Sequence, residues 1–96
     1  MKIKVAQNLS DINGEPLIDS AGTMTLRQVL QNVLLNSLPG DEALSGEDKV
    51  ILWNLAQDTR SDEVDWAPEN IVRAKARIGK GYGPLIVGQV FEMLDV

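Results

Sequence analysis

The chain has 96 residues, of which 44% are hydrophobic and 24% charged, and it contains neither histidine nor cysteine. That length suits one domain and leaves no room for a second core, while the missing imidazole and thiol remove most side chains that titrate, ligate metals or attack electrophiles near neutral pH. Nine Lys plus Arg against 14 Asp plus Glu give a formal charge of −5, which favours solubility and disfavours indiscriminate attraction to DNA or anionic membranes.

The composition predicts a folded α+β domain, mainly helical, over residues 1–96: a β-hairpin over 1–20 packed on about four short helices over 25–96. The alternation of Ile3 and Val5 with Lys2 and Lys4 predicts a half-buried strand. Asn13-Gly14 then suits a type I′ turn, with Leu17 and Ile18 returning and Pro16 placing that return on an edge. Thr25 is the expected N-cap of the first helix, in which Leu26, Val29, Leu30, Val33, Leu34 and Leu38 form a buried stripe before Pro39-Gly40.

Ser45-Gly46-Glu47-Asp48 resembles a capping box and opens a second helix, expected to end near Arg60. Ile51, Leu52, Leu55, Ala56 and Thr59 share its inner face; Val50 and Trp53 point away and must cover another surface. An acidic linker with Asp62, Glu63 and Asp65 follows. Pro68 sits in the first turn of a third helix capped by Asp65 or Ala67, with Ile71, Ala74 and Ile78 inward and Arg73, Arg77 and Lys80 nearly opposite. Gly79 and Gly81 loosen that helix and Gly83-Pro84 starts a terminal one, whose Ile86, Val87, Val90, Phe91, Met93 and Leu94 imply burial, with Gln89 outside.

Candidate chemistry is sparse. Asp58, Asp62, Glu63 and Asp65 cluster in sequence, yet paired-carboxylate catalysis needs two groups held rigidly with separated pKa values, so a solvated connector is the favoured reading. Asp11-Ile12-Asn13-Gly14-Glu15-Pro16 lacks the sixth-position glycine of a calcium loop, and zinc has no imidazole or thiolate to bind. Gly79-Lys80-Gly81-Tyr82-Gly83 fits neither phosphate-loop spacing, because a Walker pattern would need glycine at Ala74 and a hydroxyl at Gly81. No catalytic residue, metal, cofactor or small-molecule substrate is expected.

Two surfaces remain. Val50, Trp53 and Trp66 are the candidate partner-binding patch, pictured with an acidic rim that steers a basic partner. Arg73, Arg77 and Lys80 are the candidate phosphate contacts, a minority reading given the net charge and the absence of interleaved aromatics. No segment is long and apolar enough for a membrane span, and Met1–Val5 lacks the continuous apolar run of a signal peptide, so a soluble cytoplasmic location is expected.

Asn13-Gly14-Glu15-Pro16-Leu17, Thr25-Leu26-Arg27-Gln28-Val29-Leu30, Ser45-Gly46-Glu47-Asp48-Lys49 and the run from Ile78-Gly79-Lys80 to Gln89-Val90 together resemble short acidic proteins encoded by tailed bacteriophages and prophages. The resemblance implies a bacterial host cell and no assigned reaction. It leads to the expectation of a non-enzymatic protein acting on a phage or host protein, or on a second copy of itself. The versions considered are a tail or virion assembly chaperone, an inhibitor of a host protein, and a nucleic-acid-binding regulator.

Overall fold

The computed structural model describes residues 1–19 and 22–95 and is α+β, mainly helical. Helix α1 (Leu26–Leu35) lies against both α2 (Gly46–Asp58) and α3 (Pro68–Gly81), and α4 (Pro84–Leu94) packs on α3. Two small antiparallel ladders complete the fold: β1 (Lys2–Lys4) with β4 (Glu63–Asp65), and β2 (Ile18–Asp19) with β3 (Gly22–Thr23). The helices and the β1–β4 ladder share one core, with Ile3, Leu9, Leu26, Leu30, Ile78 and Leu94 fully buried within it, while the β2–β3 ladder is exposed.

The strand at Lys2–Lys4 forms as expected, but its partner differs. Ile3 stands opposite Val64, flanked by Lys2 opposite Asp65 and Lys4 opposite Glu63, so the stretch read as an acidic linker is a strand. The apolar residue of each strand is buried and its charged neighbours are exposed, which places opposite charges across the ladder on the solvent side. A hairpin near the N-terminus does exist, between β2 and β3. The expected boundary at residue 20 lies outside the described residues.

Asn13-Gly14 also turns the chain, joining Leu9 to Leu17, whose N–H donates to the Leu9 carbonyl at 3.0 Å. Only Gly14 takes positive φ, +84°, so the turn is not type I′. The Asp11 carboxylate accepts the N–H groups of Asn13 (2.8 Å) and Glu15 (3.0 Å), an Asx turn that holds Asn13 at negative φ and leaves the left-handed step to glycine.

The helix ends follow local chemistry. Thr25 accepts from the Gln28 N–H while the Gln28 side chain accepts from the Thr25 N–H, and Ser45 and Asp48 do the same for α2. Ala67, not Asp65, precedes Pro68 in α3; Asp65 is occupied in β4. Helix α3 continues through Gly79 to Gly81 and breaks at Tyr82-Gly83. A Cβ at Gly81 would lie 3.3 Å from Val33 Cγ1, so glycine there allows the end of α3 to approach α1 closely.

Helix α4 is less enclosed than its composition implied. Val90 and Leu94 are buried, whereas Ile86, Val87, Phe91 and Met93 are half-buried and Leu85 is exposed. Gln89, expected outside, instead accepts from the Ser10 N–H at 3.0 Å and donates to the Ser10 carbonyl at 2.8 Å. That exchange satisfies a stretch of backbone with few ladder partners of its own.

Candidate interaction surface

Helix α2 turns Leu52, Leu55 and Ala56 into the core, so at 100° per residue Val50 and Trp53 fall outside it. They are 56% and 55% exposed, and Leu35, at the end of α1, is 51% exposed. Trp53 and Leu35 together line two adjacent grooves, of about 590 Å³ and about 240 Å³. A third, of about 440 Å³, continues past the Asp41–Ala43 3₁₀ turn to α3, where Val72 is 65% exposed. The first and third share Asp41, Leu44, Leu52 and Arg77, so the three grooves adjoin one another across α1, α2 and α3 and together make up a segmented trough.

Trp66 does not join this patch. It is 3% exposed, and its indole Nε1–H donates to Asp58 Oδ2 at 3.1 Å. Antiparallel pairing of β4 with β1 draws the following residue inward, with the Trp66 N–H donating to the Met1 carbonyl at 3.0 Å. A buried indole requires an acceptor, and the last residue of α2 supplies it. The expected patch therefore reduces to Val50 and Trp53, with Leu35 added by the fold. The periodicity of α1 had assigned Leu35 to no particular face.

The cation stripe is also broken up. Arg77 is 7% exposed, and its guanidinium grips both Asp41 oxygens, Nη1 to Oδ1 at 2.8 Å and Nη2 to Oδ2 at 2.9 Å. It donates further to the Val33 carbonyl and, at 2.9 Å, to that of Asn36. The Val33 carbonyl belongs to the last turn of α1 and Asn36 is the residue that caps it, so these groups have no helical partner ahead of them, and Arg77 is a buried C-terminal clamp on α1 and not a phosphate contact. The Arg77 hydrogen bonds, followed by the Leu38 N–H at 2.7 Å, pull the Asp41 carboxyl from 3.8 to about 2.

Arg73 and Lys80 stay at the surface and line the third groove. Lys75 is turned away: its ammonium pairs with Asp95 and lies 5.3 Å from the centre of the Phe91 ring. The rim of the trough is consequently not acidic, contrary to expectation. Its lining holds Lys49, Arg60, Arg73, Arg77 and Lys80, five of the nine cations, against Asp41, Glu42, Asp48 and Glu69, four of the 14 acids.

The carboxylates of residues 58–65 are dispersed among separate partners and do not form a loose connector. Asp58 holds Trp66, Asp62 pairs with Arg27 at 2.8 Å, and Asp65 pairs with the terminal amine at 2.9 Å. That amine is the main reason the Asp65 carboxyl is lowered. Arg27 also donates to the Thr59 carbonyl at 2.7 Å, tying α1 to the chain leaving α2. Gly79-Lys80-Gly81 lies inside α3, so the segment is helix rather than a loop open to a phosphate. Among the described residues no helix is long and apolar enough to cross a membrane. Comparison of the chain with protein-family models, with curated proteins and with solved structures finds no match, so the trough stands as the functional candidate on its geometry alone.

Proposed function

We propose that this chain acts by binding another protein through the trough at Trp53, without transforming a substrate, in the phage or prophage setting that its sequence resembles. The observation that carries this reading is the half-exposed Trp53, which with the half-exposed Leu35 lines a groove of about 590 Å³, Val50 being exposed on the same helix as Trp53. Tryptophan in a concave, partly desolvated position is the side chain most enriched among interface anchors. Three half-exposed side chains offer a few hundred Å² at most, whereas a stable dimer buries about 800 Å² per partner. A short segment of a different protein suits the site better than a second copy.

An assembly chaperone and an inhibitor of a host protein are both compatible with such a site, and the neighbouring genes separate them: structural genes favour the first. The nucleic-acid reading retains only Arg73 and Lys80, because Arg77 is engaged with Asp41. The test is affinity capture from cells carrying the gene, with wild type and Trp53→Ala compared at matched folding. Loss of the captured protein from the variant is expected. Undiminished capture by Trp53→Ala would remove the site from consideration.

A further inference from the structure

We infer that the trough receives an acidic peptide segment, one or two of whose large apolar side chains seat against Trp53 and Leu35 while flanking carboxylates meet the cations of the rim. This rests on the proposed function above and adds the chemistry of the partner. Within the trough Arg77 and Asp41 neutralise each other, and Asp48 is committed to capping α2. Lys49, Arg60, Arg73 and Lys80 remain, and among the described residues none of the four has an ion-pair partner within 4.0 Å. Glu42, Glu69 and the helix-capping Asp48 oppose them in the lining, which leaves one positive charge in excess.

Outside the trough the balance reverses. Taking the lining's five cations and four acids from the chain's nine and 14 leaves four cations and ten acids, a charge of −6 on the remaining surface against +1 in the trough. An acidic partner meets repulsion from the molecule as a whole. At physiological ionic strength, however, that field is screened within about 8 Å, so a docked segment responds mainly to the adjacent rim. Complementary charges of this kind fix register and exclude wrong partners more than they add affinity. A basic segment would leave four cations facing cations.

The inference is tested by selecting a displayed random library of peptides of about 12 residues on the intact protein, then remeasuring the recovered peptides on variants. Peptides rich in Asp and Glu around Leu, Phe or Trp are expected. Their binding should fall about tenfold or more on Trp53→Ala, on the double change Arg73→Glu with Lys80→Glu, and between about 50 and about 500 mM salt. Circular dichroism establishes that each variant is folded. Recovery of Trp53-dependent peptides that are neutral or basic, or that ignore the charge reversal, overturns the acidic preference while leaving the interaction site standing. Failure to recover any peptide whose binding depends on Trp53 overturns both.

Discussion

Replacing Arg77 with Met is the most demanding test of the fold described here, because the sequence places that cation on a solvated stripe and the structure places it at a buried junction. The guanidinium satisfies the carbonyls of Val33 and Asn36 at the C-terminal end of α1 and both oxygens of Asp41, whose side chain is only 15% exposed. Removing one member of a buried ion pair costs about 3–5 kcal/mol. Because the Asp41 carboxylate keeps some contact with water, the lower end applies, about 3 kcal/mol. For a domain of this size that corresponds to roughly 12–24 °C in Tm. Arg77→Lys retains the charge but lacks the planar fork for four acceptors, and its expected cost is about 1–2 kcal/mol. Urea unfolding followed by circular dichroism and tryptophan fluorescence measures both. A loss within about 0.5 kcal/mol for Arg77→Met, typical of a surface substitution, would refute the clamp and return Arg77 to the solvated face.

The two tryptophans should separate cleanly: Trp66→Ala costs about 3–5 kcal/mol through the cavity and the lost bond to Asp58, whereas Trp53→Ala changes stability by about 0.5 kcal/mol or less. Acrylamide quenching should correspondingly fall in Trp53→Phe relative to wild type, and equal quenching would contradict the burial of Trp66. The Asp41 carboxyl titrates at about 2 in the folded chain and near 3.8 when unconstrained. The unfolded state therefore binds more protons in that interval, and stability is present above about pH 4 and lost as pH falls toward 2. Asp41→Asn should flatten the dependence of Tm on pH between about 4 and 2, and an unchanged slope there would assign acid sensitivity to other groups.

The helices were legible because their signals are local. Thr25, Ser45, Pro68 and Pro84 occupy the starts that their side chains favour, and the buried stripe of α1 follows its 3.6-residue period. Strand pairing was not legible from the turn at Asn13-Gly14, because nothing local joins Ile3 to Val64. The available clue was compositional: Lys2-Ile3-Lys4 and Glu63-Val64-Asp65 alternate in the same way with opposite charge.

Trp66 and Arg77 were misplaced for a related reason. Each is polar at one end and needs a particular acceptor, and the acceptors, Asp58 and the C-terminal carbonyls of α1 with Asp41, come from different elements. Trp53 and Val50 were legible as outward-facing because helix periodicity alone decides that. Leu35 and the basic rim were not, since they depend on how α1 and α3 flank α2.

The pairing of β1 with β4 joins residues whose sequence positions differ by about 60, across the two intervening helices α1 and α2. Closing so long a loop is entropically unfavourable until the helices have already shortened the path between its ends. During synthesis β1 therefore has to wait for the strand near residue 65, and Ile3 and Val5, fully buried at completion, stay uncovered meanwhile. Their lysine neighbours are well suited to that interval, keeping a short greasy segment from seeking the wrong company while the chain is being finished.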